Sequence, residues 1–313
     1  MDQLGYITPM GQVNDGHVTP TDHIYIVGKD ARTMEPNAYD IVMPADGTIT
    51  TVAAMPAQYI GDSNQQAASE DYHISVVHNC RYASIFIHVH QLSPELKAAV
   101  GTLKPNERKE IQLELKAGAK IGRIGSSVDW SLMDVTQKLT GFITPDLYKS
   151  ESWKIHVVDP ISVYAGDLKN QLIAKSLRTV EPYGGKIDYD QKGKLIGNWF
   201  KEGTNGYQGA SMDRYWDGHL SIAPNNIDPT GTMFSIGNWN GKAAQYVLRG
   251  KVDTAGVSAQ SGMVKYEVIK VTFIAPGGTP TFGDSTKGMK IETDGQVQGT
   301  VLAQVMDGEK LKL

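Results

Sequence analysis

Apolar residues in this chain recur mainly at every second position, and that period constrains the fold more than any other feature. Ile24-Tyr25-Ile26-Val27, His73-Ile74-Ser75-Val76-Val77, Ser84-Ile85-Phe86-Ile87-His88-Val89-His90, Lys154-Ile155-His156-Val157-Val158 and Met263-Val264-Lys265-Tyr266-Glu267-Val268-Ile269 all show it. Successive side chains of a strand point to opposite faces, so this pattern buries one face of a sheet. Helical spacing is scarce. It predicts a short helix over 94–100, with Ser93 placed to cap it, and a second over roughly 167–177, where Leu168, Leu172, Ile173 and Leu177 share one face. The fold class is mostly β.

A single core rarely grows past about 250–300 residues, so a chain of 313 residues favours two domains. The Pro- and Gly-rich Glu181-Pro182-Tyr183-Gly184-Gly185 after the second helix marks the boundary, giving domains of 1–177 and 178–313. Beyond it, closely spaced Gly and Asn turns predict an antiparallel β-barrel or sandwich, closed by a terminal hairpin about Met306-Asp307-Gly308-Glu309. With 30 Lys plus Arg against 34 Asp plus Glu and no run of like charge, nothing points to a nucleic-acid partner. No stretch reaches the ~20 apolar residues of a membrane-spanning helix. Cys80, the single cysteine, reads as a structural residue at a strand end. Oligomeric state is not legible.

Two turns carry chemical information. Met43-Pro44-Ala45-Asp46-Gly47 reverses the chain between strands, and Gly118-Ala119-Lys120-Ile121-Gly122-Arg123-Ile124-Gly125 lets a strand bend where a Cβ would collide. Together with Tyr72-His73-Ile74-Ser75-Val76-Val77-His78-Asn79 and Ser84-Ile85-Phe86-Ile87-His88-Val89-His90-Gln91-Leu92-Ser93, they make residues 16–134 resemble the lysostaphin-type (LytM-like) zinc endopeptidases. The resemblance implies a barrel-sandwich hybrid in the N-terminal domain.

It also implies a place for zinc, and the residues there depart from the family pattern. The closing His-x-His strand is replaced by Val128-Asp129-Trp130-Ser131-Leu132, which puts Asp129 at a ligand position. The strand start that holds the family's Asp reads Asp22-His23-Ile24, and the nearest upstream histidine is His17. The substrate-side histidine corresponds to His88 or, with a slip of two, His90. Two readings compete. In one, His23 and Asp129 have exchanged identities and bind a divalent metal such as zinc with His17 or His88, while His88 and His90 face the substrate. In the other, the site is lost and the domain persists as a scaffold.

In the C-terminal domain Trp199, Tyr215, Trp216, Asp217 and His219 are candidates for an aromatic ligand platform with polar arms, suited to a sugar. The competing reading makes Trp199 a barrel-closing core residue whose N–H meets a backbone carbonyl. No Gly-x-Ser-x-Gly elbow or phosphate-binding Gly-Lys-Ser/Thr loop occurs. The expectation is an exported protein, secreted, periplasmic or cell-surface and beginning at a mature N-terminus, since Met1-Asp2-Gln3-Leu4-Gly5 is not a signal peptide; a cytoplasmic setting stays open. Its function is either metal-dependent hydrolysis of a cell-envelope or extracellular polymer, or non-catalytic envelope or carbohydrate binding, with a polymer or small molecule as partner.

Overall fold

A computed structural model describes residues 2–31, 37–56, 70–211, 213–281 and 285–313. The chain divides into two compact units, each built from three segments: residues 1–7, 23–137 and 160–175 in the first, and residues 8–22, 138–159 and 176–313 in the second.

The first unit contains β1 (Leu4–Thr8), β2 (Ile24–Gly28), β3 (Tyr39–Val42), β4 (Gly47–Ala54), β5 (Tyr72–Val77), β6 (Tyr82–Val89), β7 (Gln91–Leu92), α1 (Pro94–Val100), β8 (Arg108–Leu115), β9 (Lys120–Ile124) and β10 (Ser127–Asp134). Its main sheet runs β1-β2-β10-β6-β5-β4-β8, and β3-β9-β7 form a smaller one. Alternation explains β5, where Tyr72, Ile74 and Val76 are buried and Val77 is exposed. Ser93 caps α1 by accepting the Leu96 N–H at 3.2 Å. Gly122 is required by close approach, because a Cβ there would stand 2.4 Å from Val89 and 2.6 Å from the Gln91 carbonyl. Cys80 is exposed in the turn joining β5 to β6, so it serves no core.

The helix expected over 167–177 is α2 (Gly166–Lys175), and it does not bury one apolar face. Leu168 is exposed and no residue of α2 is fully buried; Leu177 is buried, but the chain has by then passed into the second unit at Ser176. The strand expected over 154–158 is also shorter, since residues 145–156 form 3-10 turns and only β11 (Val157–Val158) is extended.

The second unit then contains β12 (Gly197–Phe200), β13 (His219–Pro224), β14 (Thr232–Trp239), β15 (Lys242–Arg249), β16 (Val264–Lys270), β17 (Phe273–Ile274), β18 (Pro280–Thr281), β19 (Lys290–Ile291), β20 (Val297–Met306) and β21 (Lys310–Lys312). β12-β13-β14-β15-β16-β20-β21 make one antiparallel sheet that curls toward closure. Its ends are tied where Lys310 meets Glu202 at 3.3 Å and the Gly193 N–H donates to Glu309 at 3.0 Å. Leu220, Ile222, Phe234, Tyr266, Val268 and Val301 fill the interior. On β20 Val301, Ala303 and Val305 are buried while Leu302 and Met306 face outward, as the two-residue period requires. The terminal hairpin forms as expected, with Met306 opposite Lys310.

Candidate functional site

Strand β10 lies between β2 and β6, and Asp129 on it stands opposite both Tyr25 and Ile87. His23, two residues before Tyr25, belongs to the same face of the sheet. Regular alternation would send Ile87 and His88 to opposite faces. The pairing with β5 slips here, since Tyr72 pairs with Val89 while Ile74 pairs with Phe86, which leaves an extra residue in β6. His88 sits in that bulge with a left-handed φ of 67°. Bulges re-aim side chains, and this one turns the imidazole toward Asp129.

The result is a chain of four side chains. Asp71 Oδ2 is 2.9 Å from His88 Nδ1, His88 Nε2 is 3.8 Å from Asp129 Oδ2, and that same oxygen is 3.2 Å from His23 Nε2. Asp71, His23 and Asp129 are 1%, 5% and 5% exposed, whereas the His88 side chain keeps 26%, so His88 is the member open to solvent. Tyr25 packs its ring edge-on to His23 at 4.8 Å. Burial works against charge on His88, but the Asp71 hydrogen bond and the Asp129 and Asp71 charges outweigh it and raise its pKa above the usual 6.5. A left-handed β-carbon costs roughly 1–2 kcal/mol, so the position carries strain beside the site.

Structure brings three of the expected residues together, namely His23, His88 and Asp129. His90 lies past the end of β6, where its Nδ1 accepts the Gly125 N–H at 3.3 Å and burial lowers its pKa. As residues two apart on one strand, His88 and His90 would share a face, but His88 itself takes the left-handed conformation and breaks that alternation. His17 belongs to the second unit and closes a turn with Asn14, donating its N–H at 2.8 Å. Asp71 was not expected. Its only signal is an acidic residue leading the Tyr72–Val77 strand, which does not reveal that it will hold a histidine.

The four groups have a definite chemistry. A carboxylate on one imidazole nitrogen fixes the tautomer and turns the other nitrogen outward, as in metal sites where a ligating histidine is held from behind. Among the described residues no group of three or more His, Cys, Asp or Glu is arranged so as to hold a metal ion as it stands. The spacings are nevertheless near those of a ligand set, because atoms about 2.0–2.1 Å from a tetrahedral zinc lie about 3.3 Å apart.

In the second unit Trp199 packs against the barrel core and its Nε1–H donates to the Leu195 carbonyl at 2.9 Å. Tyr215, Trp216 and Asp217 lie on a 3-10 turn, with Asp217 paired to Arg214 at 2.7 Å. His219 is buried at the start of β13 against Phe200, Tyr207 and Tyr215, and burial pushes its pKa down to about 4. Asp190 lines a cavity of about 80 Å3 with Asn198, Trp199 and Glu309. Burial raises its carboxyl to about 7, against the Asn198 and Ile143 N–H groups that it accepts.

Comparison with known proteins finds no matching family model, no matching curated protein and no matching solved structure.

Proposed function

We propose that the first unit carries a remodelled metallopeptidase-like centre in which His23, His88 and Asp129 hold a divalent cation and Asp71 orients His88. The reading rests on one observation, the approach of His23 Nε2 and His88 Nε2 to the same oxygen of Asp129 at 3.2 and 3.8 Å. Exchange of a carboxylate for a histidine at two ligand positions keeps a mixed nitrogen and oxygen donor set, which suits zinc and tolerates harder ions. Such an ion supplies a bound water of lowered pKa and polarises a carbonyl. The chain's own residues do the rest. Asp71 keeps His88 Nδ1 protonated and its Nε2 directed at the centre, while buried His23 and Asp129 exclude bulk water from one side. The substrate class is an amide or ester link in a cell-envelope or extracellular polymer.

The test is hydrolysis of envelope polymers, peptides and esters by zinc-loaded protein, beside chelated protein and the His88→Ala variant. Turnover that needs both the metal and His88 is expected. A zinc-loaded chain that turns over none of the panel contradicts the hydrolytic reading.

A further inference from the structure

The second unit buries an ion pair that neither the metal centre nor the barrel core uses. Lys154 is 5% exposed, and its Nζ lies 2.9 Å from Asp22 Oδ1 and 3.0 Å from Glu151 Oε2. The other Asp22 oxygen accepts the Trp153 indole N–H at 2.8 Å. Tyr207 closes the site, with Nζ over its ring at 4.7 Å. A break in the 3-10 turns at Glu151, with φ −135° and ψ 63°, is what sets Glu151 beside Lys154.

We propose that Lys154 and Asp22 condense to an intramolecular isopeptide bond. The arrangement contains the parts the reaction needs: an amine in contact with a carboxyl group, a second carboxylate on the amine, and a hydrogen-bond donor on the oxygen that becomes the amide carbonyl. One proton passes from the Lys154 ammonium, by way of Glu151, to Asp22 Oδ1, so that neutral amine faces neutral acid while Glu151 is again a carboxylate. Nζ attacks Asp22 Cγ, and the charge that develops on Oδ2 is met by the Trp153 N–H. After attack the nitrogen carries one proton in excess; Glu151 takes it and passes it to the Oδ1 hydroxyl, which departs as water, leaving one N–H on the amide and Glu151 a carboxylate as at the start. The balance is one ammonium plus one carboxylate giving one amide plus one water, with no oxidant or outside reagent. Burial works against the Lys154 charge, but the Asp22, Tyr207 and Glu151 charges outweigh it and hold the ammonium well above its usual pKa, so the neutral pair is a minor form. What favours reaction is the fixed geometry, since well-oriented groups reach effective concentrations of about 10⁵ M or more. The bond would join residues 132 apart in sequence, which restricts the unfolded chain as a disulfide does.

Intact mass of the folded, purified chain, measured under denaturing conditions with tryptic mapping, tests this. The expected mass is that of the sequence less one water, with a branched peptide joining the Asp22 segment to Lys154 and no tryptic cleavage after Lys154. Glu151→Gln, folded by circular dichroism, is expected to keep the water. The full sequence mass after prolonged incubation at neutral pH, or a lost water without the branched peptide, overturns the proposal. A Glu151→Gln chain linked as fully as the natural one overturns the proton path.

Discussion

Asp71 Oδ2 accepts the Nδ1–H of His88 at 2.9 Å, and the Asp71 side chain is fully shielded from solvent while His88 is partly open. A buried carboxylate thus sets the tautomer and the charge of the one histidine that meets solvent at the centre.

Removing that carboxylate's charge should be visible on the ring. Asp71→Asn is expected to lower the His88 pKa, because the Asp71 hydrogen bond and charge are among the causes that raise it. Titration of the His88 ring protons by NMR checks this. A group raised in the fold stabilises below its unfolded pKa of 6.5 and loses that contribution as pH rises through the folded value. The natural chain should therefore lose stability above neutrality more than Asp71→Asn does.

Strain at His88 gives a second expectation. His88→Ala and His88→Gly both remove the imidazole, but only Gly takes the left-handed φ of 67° freely. The Gly variant should be the more stable by about 1 kcal/mol in denaturant unfolding. Equal stabilities would show that the bulge relaxes when the ring is gone.

Two groups in the second unit oppose one another with pH. His219, held at about 4, is neutral in the fold, so its contribution is present above 6.5 and lost as pH falls toward 4. Asp190, held at about 7, keeps its proton in the fold, so its contribution is present below 3.8 and lost as pH rises toward 7. Together they flatten the profile between about pH 4 and 6.5. Asp190→Asn should leave a stability that climbs with pH across that window, and His219→Phe one that falls, both read from denaturant midpoints.

Trp199 offers a test of a structural against a binding role. Trp199→Phe removes the hydrogen bond to the Leu195 carbonyl and should cost about 1 kcal/mol, with a further loss if the carbonyl is left unsatisfied. A glycan-dependent fluorescence change lost in this variant, with stability unchanged, would favour the ligand platform instead.

The strands were legible because their signal is local. Alternation placed β2, β5, β6 and β16, the Ser93 cap placed α1, and Gly122 marked a close backbone approach. Long-range groupings were not. Nothing in the order of residues shows that 8–22 and 138–159 cluster with 176–313, nor that the 154–158 alternation yields to turns once Lys154 meets Asp22. The candidate centre was half legible. His23, His88 and Asp129 were singled out only by the resemblance to the zinc endopeptidases, and the contact between them depends on a bulge at His88 that a two-residue period cannot express. Asp71 was hidden because its role comes from a neighbour 17 positions away, not from its own setting.

The most direct measurement is the zinc retained by untagged protein after exposure to the metal and dialysis, read by elemental analysis beside the His23→Ala variant. The account requires a stoichiometric ion in the natural chain, a melting temperature lowered by chelator, and loss of the ion in the variant. No retained metal, or retention that His23→Ala leaves unchanged, would contradict it.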